Sequence, residues 1–241
     1  MQKPKSILVI MAMQTEAQPI IKKLNLKRTG KIKLLNGEIF SGQILDAKIN
    51  ILLNGKCQKY FVDQIGTQPA TLVTHLGIEK FNPDLIINAG TAGGYKRHNA
   101  KVGDIYLSNK HVCFHDRRIN IPGFDKYGIG YYPSVESEQI AKTLNTRLGI
   151  VTSGNSLNYT DKDMRLIKGI NGEVKDMEAA AIAWVANLYN KPFIAIKSIT
   201  DIVDGEKPAE EEFVQNLEFA SEILCKKTIE LLNYFAHSDC L

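Results

Sequence analysis

Residues 7–13 read ILVIMAM, an uninterrupted apolar run that ends three positions before Glu16. Short runs that are wholly or largely apolar recur at residues 49–53, which include Asn50, and at residues 85–87 and 193–196. Apolar runs of this length without polar alternation are typical of strands that are buried on both faces, as in a sheet covered by helices. The sequence therefore predicts an α/β fold.

Helical patterns lie between and after these runs. Residues 178–189 (EAAAIAWVANLY) are rich in alanine and are followed by Asn190 and Pro192, which predicts a helix that ends there. After Pro208, side chains at helical spacing give one buried face: Phe213, Leu217, Ala220, Leu224, Thr228 and Leu231. We interpret the acidic run 210–212 as a first helical turn, where carboxylates face the positive end of the helix dipole.

Composition and charge narrow the possible functions. The 241 residues are 44% hydrophobic and 23% charged, which suits one globular domain over residues 1–241. The net charge is +4 without a basic stripe, so we expect no nucleic-acid partner. No apolar stretch approaches the ~20 residues of a membrane span, so we expect no membrane partner.

The cysteines form no pattern that would suggest a disulfide framework or a metal site. They are well separated in the chain and include no CxxC pair: Cys57, Cys113, Cys225 and Cys240. We therefore expect reduced thiols, a cytoplasmic location and no bound metal.

Polar residues follow several of the apolar runs, at the positions where open α/β sheets bind ligands. Glu16 follows the first run, residues 88–94 (NAGTAGG) follow the third, and Thr200 and Asp201 follow the last. Residues 176–178 (DME) precede the alanine-rich helix. Each has a structural alternative: Glu16 as a first-turn carboxylate, the glycines as a tight turn, and Thr200-Asp201 as a turn cap.

Three carboxylates stand out as candidates for acid–base chemistry. An aspartate after a doubly buried strand is partly desolvated, which raises its pKa and lets Asp201 hold a proton to donate. Glu16 and Glu178 complete the set, and the sequence offers no Ser-His or Cys-His arrangement in its place. His115 and Asp116 form the one adjacent His–carboxylate pair, which we interpret as structural.

Taken together, these segments resemble the 5′-methylthioadenosine/S-adenosylhomocysteine nucleosidases of the purine nucleoside phosphorylase superfamily. The similarity covers about residues 7–232. It is closest to the plant-type branch, through residues 114–119 (FHDRRI), Ile121-Pro122 and residues 200–208 (TDIVDGEKP). It implies a three-layer α/β/α sandwich with a central mixed, partly barrel-like sheet.

The resemblance also implies roles for individual residues. Glu16 corresponds to the base that activates water, Glu178 to the residue that binds the ribose hydroxyls, and Asp201 to the acid at adenine N7. The remaining substrate-binding positions are Met13, Ile65, Thr91, Gly93, Ile119, Phe124, Leu157, Asn158, Met177, Lys197 and Thr200. Among these, we expect Met13, Ile65, Ile119 and Phe124 to form an apolar wall for a methylthio group.

Two positions depart from the pattern of bacterial members. Leu157 stands where many of them stack a Phe on adenine, and Lys197 stands where they usually have Arg. The resemblance further implies a homodimer in which the neighbouring subunit helps to close the pocket. Residues 115–133 are interpreted as a long loop that is rich in aromatics, prolines and glycines. This loop is a candidate for the contact with the neighbouring subunit.

The implied reaction is hydrolysis of the N-glycosidic bond of 5′-methylthioadenosine, and of S-adenosylhomocysteine as a further substrate, without a cofactor. The products would be adenine and a 5-thioribose, as in methionine salvage. One alternative is a purine nucleoside phosphorylase, although Glu16 would repel phosphate and the early glycine segment offers only Lys56 and Lys59. The other is a nucleoside-binding protein without turnover, which would not need all three carboxylates.

Overall fold

The computed structural model describes residues 3–237, which form one mixed sheet covered by helices. Its strands are β1 (Ser6–Met11), β2 (Lys27–Ile32), β3 (Gly37–Ile44), β4 (Ala47–Leu53), β5 (Leu85–Gly94), β6 (Ile105–Phe114), β7 (Tyr132–Pro133), β8 (Arg147–Ser153), β9 (Gly172–Asp176) and β10 (Phe193–Ile202). Its helices are α1 (Gln14–Lys23), α2 (Thr67–Phe81), α3 (Phe124–Ile129), α4 (Glu138–Leu144), α5 (Asp161–Gly169), α6 (Ala179–Leu188) and α7 (Ala209–His237).

Part of the sheet closes on itself. β10 pairs in parallel with β5 on one edge and antiparallel with β6 on the other, and β6, β8, β9 and β5 continue the ring. β1, β4, β3 and β2 extend from β5 as an open sheet, and β7 pairs with β6. The expected mixed, partly barrel-like sheet is therefore confirmed.

Successive residues of β1 face different helical layers, because side chains alternate across a strand. Ile7, Val9 and Met11 belong to a core that includes residues of α1, α4 and α7. Leu8 and Ile10 belong to a second core, with residues of α2 and α6. Two helical layers thus enclose the sheet, and the doubly buried run 7–13 is explained by this three-layer arrangement.

The alanine-rich helix lies where the sequence predicts it. α6 begins after Glu178, ends before Tyr189, and Asn190 adopts the left-handed conformation at φ 52°. Its alanines are buried against α2 and the sheet, and their small side chains permit this close packing. α7 likewise begins directly after Pro208.

Three local expectations differ from the structure. Residues 115–133 are not a plain loop, because they contain α3 and β7. Thr200 and Asp201 lie within β10 rather than after it. Residues 88–94 form no turn but continue β5, and their glycines are needed for space: a Cβ on Gly93 would lie 2.5 Å from Val203 Cγ2, and one on Gly94 would lie 2.6 Å from Ala100 Cβ.

Within residues 3–237, no helix is long and apolar enough to cross a membrane. The cysteines in this part of the chain are free: Cys57 is partly buried, and Cys113 and Cys225 are buried. The fourth, Cys240, lies outside the described residues.

The close approach of α2 to the sheet depends on Gly77, since an added Cβ would lie 2.9 Å from Leu8 Cδ2 and 2.9 Å from Leu52 Cδ2. We predict that Gly77→Val lowers the free energy of unfolding by about 1–3 kcal/mol through overpacking, although Val is the better helix former. Urea unfolding monitored by circular dichroism measures the change. The matched control is Gly169→Val in α5, where a Cβ meets no atom within 4 Å; equal losses in both variants would contradict this account.

Candidate active site

One cavity, with an empty volume of about 600 Å³, lies at the carboxyl ends of β1, β5 and β10 and at the start of α6. Ten of the sequence-predicted site residues line it: Met13, Glu16, Ile65, Thr91, Gly93, Leu157, Met177, Glu178, Thr200 and Asp201. The fold thus brings together six segments that are separated in the chain.

Four predicted residues do not line the cavity. Lys197 is fully buried beneath it, whereas Ile119 is half-buried, Asn158 is exposed and Phe124 is 54% exposed. Of the expected apolar wall, therefore, only Met13 and Ile65 face the cavity within the described chain. Contact of Ile119, Phe124 and Asn158 with a substrate stays a prediction.

Glu16 is buried in the first turn of α1, in surroundings that suit a carboxylate. Its Oε1 accepts hydrogen bonds from the backbone N–H and the hydroxyl of Thr91, each at 2.7 Å, and its Oε2 accepts from the Met13 N–H at 3.3 Å. Burial raises the pKa of Glu16, while the Thr91 bonds and the Lys197 charge act in the opposite direction. Three donors therefore hold Glu16 in a fixed orientation and favour its ionised form.

Glu178 is the residue that precedes α6, and it is buried in the same cavity. Its Oε1 accepts from the backbone N–H of Gly66 at 2.8 Å. Burial and the neighbouring Asp176 carboxylate raise the pKa of Glu178 to about 7, against the opposing charge of Lys197. The cavity therefore holds an exchangeable proton near neutral pH.

Asp176, two residues earlier, forms a buried ion pair that the sequence did not reveal. Its Oδ2 lies 2.7 Å from Lys197 Nζ and also accepts from the Ala179 N–H at 2.9 Å, which caps α6. Its Oδ1 accepts from the Ser153 hydroxyl at 2.5 Å. Burial alone would raise the pKa of Asp176, but Lys197 and these donors hold it below its usual value. Asp176 is thus an ionised anchor beneath the site.

Asp201 reaches the cavity because of a bulge in β10. Ile199 pairs with Ala92 and Asp201 with Gly93, so that Thr200 is an extra residue between them. In a regular strand, consecutive side chains point to opposite faces, yet Thr200 and Asp201 both line the cavity. The bulge therefore turns the carboxylate toward the ligand space.

The surroundings of Asp201 differ from those of Glu16. The Thr200 hydroxyl donates to its Oδ1 at 2.8 Å. Burial raises the pKa of Asp201, and the Thr200 bond and the Lys175 charge lower it. Fewer donors oppose the effect of burial at Asp201, whose pKa stays above its usual value, so Asp201 is suited to carry a proton.

Lys175, Val203 and Phe213 also line the cavity, and the sequence did not single them out as site residues. Lys175 is buried, and its Nζ donates to the carbonyl oxygens of Ser156 and Leu157 at 2.6 and 2.8 Å. It thereby fixes the segment that carries Leu157. The signal in the sequence that could have identified Lys175 as a site residue is its position directly before the Asp-Met-Glu segment.

His115 has the structural role that its pattern suggested. It is buried outside the cavity wall, and burial lowers its pKa to about 4. The adjacent Asp116 accepts from the Asn155 N–H at 2.7 Å, and Asn155 in turn accepts from the N–H of Thr67. This chain of bonds supports the loop that presents Gly66 to Glu178.

Residues 3–237 contain no group of three or more His, Cys, Asp or Glu side chains that could hold a metal ion. Water, activated by a side chain, is the nucleophile that this arrangement of carboxylates suits.

Comparison with known proteins identifies similar chains. A sequence profile of the phosphorylase superfamily matches residues 6–233. A 5′-methylthioadenosine nucleosidase from Arabidopsis thaliana is 39% identical over 232 residues, which are 95% of this chain and 86% of the relative. A 5′-methylthioadenosine/S-adenosylhomocysteine nucleosidase from the same plant is 40% identical, over 98% of this chain and 93% of the relative. The solved apo structure of A. thaliana 5′-methylthioadenosine nucleosidase matches at a TM-score of 0.95, with 38% identity and 98% of both chains covered.

The raised pKa of Glu178 gives a prediction for the pH dependence of stability. Between its ordinary pKa of 4.5 and about 7, the folded chain binds more protons than the unfolded chain, so its stability falls as the pH rises through this window. We expect the free energy of unfolding of the wild type, relative to Glu178→Gln, to fall by about 2 kcal/mol between pH 5 and pH 7. Urea unfolding at several pH values measures it, with exposed Glu211→Gln as the control. Parallel stability curves for wild type and Glu178→Gln would refute the proton at this site.

Proposed function

This chain belongs to the 5′-methylthioadenosine/S-adenosylhomocysteine nucleosidases of the phosphorylase superfamily, and we propose that it hydrolyses 5′-methylthioadenosine to adenine and 5-methylthioribose. The observation that carries the proposal is the convergence of three buried carboxylates, Glu16, Glu178 and Asp201, on one cavity. Their surroundings suit them to three different tasks.

Asp201 is the proposed general acid. The C1′–N9 bond breaks with its electron pair moving to the base, and adenine is a poor leaving group as an anion. A proton from Asp201 to N7 neutralises that charge, and such help contributes about 10²–10⁴-fold to the rate. Its raised pKa supports this role, and the Lys175 charge stabilises the carboxylate that remains after transfer.

Glu16 is the proposed general base. It accepts a proton from the attacking water as the oxygen bonds to C1′. The two Thr91 donors orient the carboxylate and favour its ionised form against the effect of burial, which raises the pKa of Glu16. Because water attacks directly, the pairing of an acid with a distant base parallels inverting glycoside hydrolysis.

Glu178 is the proposed ribose-binding residue, with Met177 packing beside the sugar. A carboxylate that binds the ribose hydroxyls favours the positive charge that develops on the ring. Leu157, Val203 and Phe213 supply apolar surface, and Leu157 takes the place of the aromatic stacking partner found in bacterial members.

The structure does not favour phosphate as the nucleophile. Lys175 is the one cationic side chain that lines the cavity in the described chain, and it already donates to two carbonyl oxygens beside Asp201. Lys56 lies outside the cavity, in a separate polar pocket with Asp63. Anion binding needs converging cations or backbone donors. Near Glu16, the backbone N–H groups of Met13 and Thr91 already donate to the Glu16 carboxylate, and Lys197 is paired with Asp176.

We also propose that the protein acts as a cytoplasmic homodimer in methionine salvage. Free Cys57, Cys113 and Cys225 support a reducing compartment. Exposed apolar side chains in two segments, one of which contains the cavity-lining Ile65, support a subunit interface: Tyr60, Phe61, Val62, Ile65, Ile121, Phe124 and Tyr127.

The first test of this proposal is release of adenine in phosphate-free buffer by the wild type and by Asp201→Asn. We expect the wild type to turn over 5′-methylthioadenosine without phosphate. The variant should lose at least 100-fold in kcat, about 3 kcal/mol or more at the barrier, since an amide binds N7 but cannot protonate it. Equilibrium binding of a non-hydrolysable substrate analogue should persist. A variant that keeps more than a tenth of the wild-type rate would exclude Asp201 as the acid.

A second test concerns the 5′ substituent. The cavity wall contributed by Met13, Ile65 and Phe213 is apolar, whereas the homocysteine tail carries an ammonium and a carboxylate that are costly to bury unpaired. Arg118, a possible partner for that carboxylate, already pairs with Asp163. We expect kcat/KM for 5′-methylthioadenosine to exceed that for S-adenosylhomocysteine by about tenfold or more, and each tenfold corresponds to about 1.4 kcal/mol. Equal values would indicate a pocket open to solvent at its 5′ end.

A further inference from the structure

The bulge in β10 leaves backbone polar groups without strand partners. In the described chain, β6 pairs with β10 only at Ile196, Lys197 and Ser198. On the opposite edge, the register with β5 shifts between Ile199 and Asp201. Because buried N–H and C=O groups are costly to leave unpaired, the segment around Asp201 needs partners from elsewhere.

Two side chains of α7 supply those partners. Glu212 Oε2 accepts from the Ile202 N–H at 2.8 Å, and Asn216 Nδ2 donates to the Thr200 carbonyl oxygen at 2.9 Å. Glu212 and Asn216 are four residues apart, on one face of the helix. They therefore hold the backbone immediately before and immediately after Asp201.

Neither side chain is part of the cavity wall. Glu212 belongs to the acidic run whose expected role was only to face the helix dipole, and its bond to the Ile202 N–H is an additional, specific contact. Phe213, which directly follows Glu212 in the same helical turn, does line the cavity. The start of α7 is thus fixed to the strand that carries the proposed acid.

We propose that Glu212 and Asn216 are positioning residues that hold the bulged segment of β10 so that Asp201 points at the base to be protonated. This inference rests on the proposed function, in which Asp201 is the acid. The Thr200 hydroxyl holds Oδ1 of Asp201, and the α7 contacts fix the backbone from which both side chains extend. A misplacement of about 1 Å in a catalytic group can cost about 100-fold in rate.

The test compares two substrates that differ in their need for an acid. Adenine needs protonation to leave, whereas 4-nitrophenolate leaves readily as an anion. 4-Nitrophenyl 5-methylthioribofuranoside therefore needs the base and the ribose-binding residue, but not Asp201. The ratio of kcat for 5′-methylthioadenosine to kcat for this probe, measured in one preparation, does not depend on the fraction of enzyme that is folded.

We expect Asn216→Ala and Glu212→Ala each to lower this ratio by about 10- to 100-fold. Glu212→Gln keeps a carbonyl oxygen that can accept from the Ile202 N–H, and it should restore the ratio to near the wild-type value. The matched controls on α7 are Asn233→Ala, whose side chain donates to the carbonyl oxygen of Ile229 in the same helix, and exposed Glu211→Ala. Both should leave the ratio unchanged.

Two results would overturn the positioning role. An unchanged ratio in Asn216→Ala and Glu212→Ala would show that Asp201 stays in place without them. A failure of Glu212→Gln to restore the ratio would show that the bond to Ile202 is not the cause. Asp201→Asn separates this failure from that of the proposed function: if that variant also keeps the wild-type ratio, Asp201 is not the acid.

Discussion

The buried ion pair between Asp176 and Lys197 joins the parts of the site. Lys197 comes from β10, whereas Asp176 ends β9 and bonds to Ser153 of β8 and to the first turn of α6. Removing one partner of such a pair leaves an uncompensated buried charge, which costs about 3–5 kcal/mol. The pair therefore fixes the relative positions of the strands and the helix near the proposed catalytic carboxylates.

The same pair sets the electrostatics of the cavity. Lys197 favours the ionised forms of Glu16 and Glu178, while the Asp176 charge opposes ionisation of Glu178. Hydrogen-bond donors oppose the effect of burial to different extents, since Glu16 accepts three hydrogen bonds and Asp201 depends mainly on Thr200. Burial keeps the pKa of both carboxyl groups above the usual value, and the donors and charges around each group differ.

Closure of the sheet explains why glycine is needed in β5. The bulged part of β10 crosses close to β5, and a side chain at Gly93 would meet both Val203 and the Asp201 carboxylate, at 2.5 and 2.7 Å. Gly93 therefore gives space for the proposed acid rather than a backbone turn, and its φ is not in the left-handed region.

The sequence by itself determined the doubly buried strands, the alanine-rich helix and the carboxylates Glu16, Glu178 and Asp201, because apolar runs and helix signals are local properties of the chain. It did not reveal Asp176 and Lys175, whose roles depend on contacts with distant strands and loops. Nor did it reveal the bulge at Thr200 or its contacts with α7. A local pattern records which face of an element is buried, whereas register, closure and the partner of a buried charge depend on where other segments lie, and only the tertiary structure decides that.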